Sequence, residues 1–293
     1  MTATAPLTTT SQDFDVTLPS GRLRARRFGP ASAPLLICVP GLSQNLAGFD
    51  FIAERVASDA LQVVSFDLRG RGRSDVTGAG TYGWENHARD VLGLADSLGA
   101  ATFSLFGMSS GGCISMAAAR LDASRIEKLV LGDLCGAVAR RAALPVMMSV
   151  SRLGAVLPSA EAAVGLIKQA GIVPEWNEYW ERYFRYELKE VEDGITTSSD
   201  RSAVMEDLGY GDAMYWPEDD APIRRLWRFI TMPTLVLRAT QEIMPGFDFI
   251  LPKPEAERFI ASVPNGRLVE IDATHYTLIV HEPTAMAIAD FLR

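Results

Sequence analysis

Unbroken apolar runs alternate with amphipathic stretches along most of the chain. The apolar runs cover residues 35–39, 61–68, 103–108, 128–134, 233–239 and 267–272. The stretches with helical periodicity cover residues 49–58, 85–99, 110–121, 254–263 and 282–293. Continuous apolar strands are typical of a sheet that is buried on both faces. Because strands and helices alternate, the pattern predicts an α/β fold with an open, doubly wound, mostly parallel sheet.

Two segments depart from this alternation. Residues 14–18 and 22–28 predict an opening β-hairpin that turns around Pro19-Ser20-Gly21. From Cys135 to about Arg225 the sequence contains no convincing buried strand, and residues 176–193 show a helical pattern rich in aromatic and acidic side chains. We therefore predict a core of residues 1–135 and 226–293, with residues 136–225 inserted as a helical cap.

Composition restricts the class of protein. The 293 residues are 48% hydrophobic and 22% charged, which is typical of a globular chain. The formal net charge of −8, without any block of Lys or Arg, argues against nucleic acid or an anionic membrane as a partner. The expected partner is a small-molecule substrate, and the sequence carries no signal for an oligomeric state.

The cysteines, the histidines and the apolar segments restrict the class of protein further. Three cysteines without CxxC spacing and three histidines indicate neither a disulfide framework nor a zinc site, so we expect no metal and no cofactor. The N-terminus lacks the pattern of a secretory signal. The most apolar later stretch, residues 144–158, is interrupted by Arg152 and is shorter than a membrane span. These features predict a cytoplasmic protein.

The strongest chemical motif is Gly107-Met108-Ser109-Ser110-Gly111, which directly follows one apolar run and precedes a helical stretch. A serine at a sharp strand-to-helix turn presents its hydroxyl above the sheet edge, and the turn requires small residues two positions before and after it. In this frame Ser109 is the predicted nucleophile. Ser110 would need glycine at position 108, which is methionine.

A nucleophilic serine needs a base, and His275 is the predicted one. It follows the last strand and precedes the final helix, so it belongs at the carboxyl edge of the sheet, where doubly wound folds place their sites. His87 lies within an amphipathic helical stretch and His281 at the start of a helix. We interpret these two histidines as structural or solvated.

Together these motifs resemble the α/β-hydrolase superfamily over nearly the whole chain. The resemblance depends on Pro40-Gly41-Leu42, the 66–75 turn, the Ser109 motif, the 233–239 strand, and His275 followed by Glu282-Pro283. It implies an oxyanion hole formed by the backbone amides of Leu42 and Ser110. Members usually have His-Gly where this chain has Pro40-Gly41, a difference that leaves the Leu42 amide available.

The resemblance leaves two candidates for the triad acid. Members usually place an aspartate after the strand equivalent to 233–239, where this chain has Glu242. Some subfamilies take the acid from the end of the strand equivalent to 128–134, which here is Asp133. Thr274-His275-Tyr276 and residues 193–200 are similar to lactone-, amide- and enamide-cleaving members of that kind. The interpretation favours Asp133 and keeps Glu242 as the alternative.

The implied function is a serine hydrolase that cleaves an ester, lactone or amide bond of a small, fairly apolar metabolite through an acyl-enzyme. A carbon–carbon bond hydrolase of ring-cleavage products and a ligand-binding, receptor-like protein are the alternatives. The candidate substrate-binding residues are Ser43, Gln44, Met108, Trp176, Trp180, Tyr183 and Tyr276. Trp176, Trp180 and Tyr183 belong to the aromatic stripe of the predicted cap. Such a stripe is more typical of packing against the core than of contact with a ligand, and both interpretations stay open.

Overall fold

The computed structural model describes residues 11–211 and 221–293. The first ten residues of the predicted core and residues 212–220 of the predicted cap lie outside this part of the chain. The strands are β1 (Gln12–Leu18), β2 (Gly21–Phe28), β3 (Leu35–Val39), β4 (Gln62–Phe66), β5 (Phe103–Met108), β6 (Ile126–Gly132), β7 (Leu188–Val191), β8 (Gly194–Thr197), β9 (Thr234–Ala239) and β10 (Gly266–Ile271).

Eight of these strands form one mixed sheet in the order β1-β2-β4-β3-β5-β6-β9-β10. β1 and β2 form the predicted hairpin, and β2 also runs antiparallel to β4. From β4 to β10 all neighbouring strands are parallel. Every residue of β3, β4, β5 and β9 is buried, as expected for strands that are covered on both faces. The predicted fold class is confirmed.

Helices cover both faces of this sheet. The helices of the described residues are α1 (Asp50–Val56), α2 (Trp84–Ser97), α3 (Ser110–Asp122), α4 (Ala143–Ser151), α5 (Ala160–Gln169), α6 (Glu178–Tyr186), α7 (Arg201–Gly211), α8 (Lys253–Ser262) and α9 (Glu282–Leu292). α2, α3 and α8 contribute to one apolar core, and α1 and α9 to the other. Between β6 and β9 the chain forms α4 to α7, the segment for which the sequence predicts a cap.

One prediction in this segment is wrong. The helical pattern of residues 176–193 continues only to Tyr186, where α6 ends, and β7 then pairs with β8 in an antiparallel hairpin. The turn lies at Glu192 and Asp193, directly before Gly194, and the β-branched run Ile195-Thr196-Thr197 follows. Turn residues next to β-branched residues favour a hairpin over a continued helix. The segment between β6 and β9 is therefore not purely helical.

A buried ion pair ties the opening hairpin to the helical layer. Arg69 Nε lies 2.7 Å from Asp90 Oδ2, and both side chains are only 2% exposed. The Ser20 hydroxyl, in the β1–β2 turn, donates to Asp90 Oδ1 at 2.5 Å. Burial by itself raises the pKa of Asp90, but its contacts with His87, Ser20 and Arg69 outweigh burial and lower that pKa. The carboxylate thus stays ionised inside the protein.

We predict that Asp90→Ala lowers the free energy of unfolding by about 3–5 kcal/mol, because it leaves the Arg69 guanidinium buried without its carboxylate. Urea denaturation of the two proteins measures the difference. The matched control is Asp290→Ala, which breaks an exposed pair with Arg293 and should cost less than about 1 kcal/mol. Equal losses for the two variants would contradict the role given to the buried pair.

Candidate active site

Ser109 occupies the sharp turn between β5 and α3. Its backbone has φ 54° and ψ −128°, a conformation that is strained for a residue with a side chain. The turn is held by a hydrogen bond from the Ser109 amide to the Gly132 carbonyl at 2.8 Å. The strand-to-helix turn predicted from the sequence is therefore present.

The two flanking glycines are required by steric packing. A Cβ on Gly107 would lie 2.3 Å from the Gly111 carbonyl oxygen, and a Cβ on Gly111 would lie 2.1 Å from the Val39 carbonyl oxygen. Both contacts are with backbone, which cannot move aside as a flexible side chain can. The close approach of β3, β5 and α3 at this turn thus excludes any larger residue at either position.

His275 lies between Ser109 and Asp133. Its Nε2 is 3.0 Å from Ser109 Oγ, and its Nδ1 is 2.8 Å from Asp133 Oδ2. An ionised carboxylate can only accept, so Nδ1 carries the proton and Nε2 of the neutral ring is left to accept the serine hydroxyl proton. The three side chains come from the ends of β5, β6 and β10, which the parallel sheet brings to one edge.

Asp133 is held in place through both of its carboxylate oxygens. Oδ2 faces His275, and Oδ1 accepts the Ala239 amide at 2.9 Å from the end of β9. The residue is 1% exposed and has φ 53°. Burial raises the pKa of Asp133, against the opposing effects of His275 and the Ala239 amide. These hydrogen bonds stabilise the ionised carboxylate and offset part of the cost of its burial.

Glu242, the alternative acid, lies apart from this constellation. It is exposed in the loop after β9, and its Oε2 accepts the Gly246 amide at 2.9 Å. Its carboxylate therefore closes a local loop instead of contacting His275. Of the two candidate acids, only Asp133 meets the imidazole.

The two backbone amides expected to form the oxyanion hole lie close to Ser109. Leu42 and Ser109 line the main cleft, and Leu42, Ser109 and Ser110 line a smaller adjoining cavity. Within residues 11–211 and 221–293 neither the Leu42 nor the Ser110 amide donates to a protein acceptor. Gln44 Oε1 accepts the Gly41 amide at 2.8 Å, which holds the loop before Leu42.

Buried charged side chains hold the Leu42 loop in place. Arg71, with no exposed surface, donates from Nε to the Leu42 carbonyl at 3.0 Å. Its Nη2 lies 2.5 Å from Asp207 Oδ2, on α7 of the inserted segment. His87 Nε2 lies 3.0 Å from the same oxygen, so His87 has the structural setting expected of it. Burial raises the pKa of Asp207, but His87 and Arg71 outweigh burial and lower that pKa to about 2.

The cleft above Ser109 contains about 870 Å³ of empty space, part of it open to solvent. Of the predicted substrate-binding residues, the cleft is lined by Ser43, Gln44, Met108, Trp180, Tyr183 and Tyr276. Trp176 is not among its lining residues. Its ring stacks on Phe184 with centroids 5.4 Å apart, and its Nε1 donates to Glu181, so it packs within the cap.

Sequence reasoning missed about half of the residues that line the cleft. The missed residues are Val146, Ser149, Val150, Arg152, Ile167, Ile172, Val173, Phe184 and Ile279. They lie mainly on α4 and α5 and in the loops that follow them. The apolar pattern of residues 144–158 was a usable signal, since a half-exposed apolar helix needs a partner or a ligand. Arg152 entered the sequence analysis only as an argument against a membrane span.

The described residues contain no candidate metal site and no candidate membrane-spanning helix. Among the described residues, no group of three or more His, Cys, Asp or Glu side chains is arranged to share a metal ion. None of the helices in this part of the chain has the length and apolarity needed to cross a bilayer.

Comparison with known proteins agrees with the fold. The family profile described as "alpha/beta hydrolase fold" matches residues 34–282. The chain belongs to the α/β-hydrolase family. Its similarity to the crystal structure of E-2-(acetamidomethylene)succinate hydrolase has a TM-score of 0.83, with 22% identity over 97% of this chain and 99% of that one. At 22% identity this similarity shows a shared fold and nothing about the substrate.

Two curated relatives of this α/β hydrolase are also hydrolases by name. A 3-hydroxybutyrate-oligomer hydrolase from Cupriavidus necator is 27% identical, over 92% of this chain and 93% of the relative. An N-formylmaleamate deformylase from Pseudomonas putida is 34% identical, over 33% of this chain and 36% of the relative. The chain is thus similar to one named hydrolase over 92% of its length and to another over 33%.

We predict that Gly111→Ala lowers the free energy of unfolding by about 2 kcal/mol or more, because its Cβ would overlap the Val39 carbonyl. The control is Gly165→Ala, in α5, where a Cβ meets nothing within 4 Å and the better helix propensity of alanine should stabilise by about 0.5–1 kcal/mol. Urea denaturation measures both. A neutral Gly111→Ala would mean that the turn tolerates a side chain.

Proposed function

We propose that this protein is a serine hydrolase that forms an acyl-enzyme on Ser109 and cleaves an ester, lactone or amide bond of a small, fairly apolar metabolite. The observation that carries the proposal is the continuous contact from Asp133 through His275 to Ser109, at 2.8 and 3.0 Å. A nucleophile, a base and an orienting acid within hydrogen-bond reach of one another are the arrangement that activates a hydroxyl for acyl transfer.

In the proposed reaction Ser109 Oγ attacks the substrate carbonyl carbon while His275 Nε2 accepts the hydroxyl proton. The Leu42 and Ser110 amides stabilise the oxyanion of the tetrahedral intermediate. When the intermediate collapses, the imidazolium gives its proton to the leaving alcohol or amine. Water then attacks the acyl-enzyme with His275 again as the base, which releases the acid. Asp133 holds the imidazole tautomer and stabilises its protonated form throughout.

The nature of the cleft supports a largely apolar substrate. Aliphatic and aromatic side chains supply most of its wall. Among the relatives, the 3-hydroxybutyrate-oligomer hydrolase is similar along almost the full chain and bears the name of an ester-cleaving enzyme, whereas the deformylase is similar over a third. We therefore propose an ester as the preferred bond.

A fluorophosphonate probe tests the nucleophile directly. We predict stoichiometric labelling of the wild-type protein at Ser109, and loss of labelling and of ester hydrolysis in Ser109→Ala. Ser110→Ala is the matched control, because it removes a neighbouring hydroxyl but keeps the backbone amide, and it should still be labelled. Mass spectrometry of the modified peptide identifies the site. A wild-type protein that stays unlabelled while binding ligands would favour the receptor-like alternative.

A second pair of variants tests the acid. We predict that Asp133→Asn lowers kcat by about 10⁴-fold, because the amide no longer holds the required imidazole tautomer. Glu242→Gln should leave kcat within about twofold, since Glu242 has no contact with His275. Steady-state kinetics on one activated ester, with thermal unfolding to check the fold, measures both. Equal effects in the two variants would contradict the assignment.

A further inference from the structure

One permanently charged side chain lines the largely apolar cleft. Arg152, directly after α4, lines it together with aliphatic and aromatic residues from the cap. Within the part of the chain that the structure describes, no Asp or Glu side chain contributes to this lining. The charged group that this cleft presents is thus a cation, although the protein has a net charge of −8. A partly buried cation that meets no anionic side chain in the cleft favours an anionic ligand group.

The partner of Arg152 lies behind it. Arg152 Nη1 and Nη2 donate to Glu187 Oε2 and Oε1 at 3.0 and 2.8 Å. The Glu187 side chain is 2% exposed and lines a second cavity but not the catalytic cleft, whereas Arg152 lines both. The positive end of this pair is therefore the end that meets the cleft. Burial by itself lowers the pKa of Arg152, but Glu187 outweighs burial and raises it, so the guanidinium stays charged.

Arg152 keeps hydrogen-bonding capacity for a ligand. A guanidinium has five N–H groups, and Glu187 uses two of them. Among the described residues no acceptor is present for its Nε–H or for the second N–H on each Nη. The side chain is 28% exposed although protein surrounds it, so this surface is accessible through the cavities that it lines. An Nε–H with a neighbouring Nη–H forms the planar fork that matches a carboxylate.

Two tyrosines add hydroxyl groups to the wall of the cleft. Tyr183 and Tyr276 both line it, and neither hydroxyl has a hydrogen-bond partner among the described residues. Burial raises the pKa of Tyr276 to about 12, although the charge of Arg152 lowers it, and burial raises the pKa of Tyr183 further. Both hydroxyls therefore stay protonated and can donate. Arg152, Tyr183 and Tyr276 all line this one cleft.

We propose that Arg152, assisted by the Tyr183 and Tyr276 hydroxyls, binds a carboxylate of the substrate while Ser109 attacks a separate carbonyl of the same molecule. The substrate class is then an ester that also carries a free carboxylate. This inference depends on the proposed function for its reaction but not for its binding step. A single guanidinium already paired with Glu187 suits a carboxylate monoanion better than a phosphate dianion, which needs more positive charge.

The first experiment compares charged and neutral forms of the same ester. Mono-4-nitrophenyl esters of glutaric, adipic and pimelic acid supply three chain lengths, and their methyl esters supply the neutral partners. We expect kcat/KM to be about tenfold to a hundredfold higher for the free acid at the chain length that spans the cleft. A wild-type protein that prefers the neutral member at all three lengths would overturn the proposal.

The variant that tests Arg152 must not leave Glu187 buried and unpaired. Arg152→Gln with Glu187→Gln removes both charges and keeps side chains that can hydrogen-bond to each other. The matched control is Arg185→Gln with Glu181→Gln, which removes an Arg–Glu pair from the surface of α6. We expect the preference for the free acid to fall at least tenfold in the first double variant only. If both double variants keep it, Arg152 has a structural role alone.

A binding measurement separates this inference from the proposed reaction. Isothermal titration calorimetry with adipate and with adipamide requires no turnover. Adipate should bind the wild-type protein and the Arg185/Glu181 variant, and binding should weaken at least tenfold in the Arg152/Glu187 variant. If neither ester is hydrolysed and the fluorophosphonate does not react, the proposed reaction fails while adipate binding still decides the subsite. If adipate and adipamide bind equally, the carboxylate subsite is refuted.

Discussion

The buried carboxylate of Asp133 is the constraint on which the rest of the site depends. An ionised carboxylate in an apolar environment is costly unless each oxygen accepts hydrogen bonds. Here the donors are the Ala239 amide and the His275 ring, from two different strand ends. The carboxylate is stabilised only while the imidazole Nδ1–H points at it. Asp133 therefore determines the orientation of the His275 ring. The orientation of the imidazole in turn directs Nε2 at Ser109.

The segment between β6 and β9 contacts the Leu42 loop and also forms part of the wall of the cleft. Asp207 lies on α7, and through Arg71 it is connected to the carbonyl of Leu42. The same segment provides Arg152 and Tyr183 to the cleft. The position of this segment and the shape of the Leu42 loop are therefore coupled by buried contacts. We expect that changes in the segment alter both the ligand that fits the cleft and the geometry around Ser109.

The parallel sheet explains why the strands, the Ser109 turn and His275 were predictable from the sequence. Fully buried strands have an unambiguous apolar pattern, and β3 and β5 have the predicted bounds. The Ser109 turn is a local structure whose steric requirements are met by Gly107 and Gly111, so the motif identifies it without tertiary information. His275 follows from chain order, since the strand before it ends at the same edge. Local pattern and topology agree at each of these positions.

The amino-acid sequence alone determined the strand and helix alternation, the strained turn and the identity of the candidate nucleophile and base, because these depend on neighbours in the chain. Only the tertiary structure distinguished the contacts of Asp133 from those of Glu242, since both follow strands and differ in what lies across the sheet edge. It also decided that Trp176 packs inside the cap and that Arg152 faces the cleft. Such contacts depend on how the cap packs over the sheet, which joins residues distant in sequence and leaves no periodic signal along the chain.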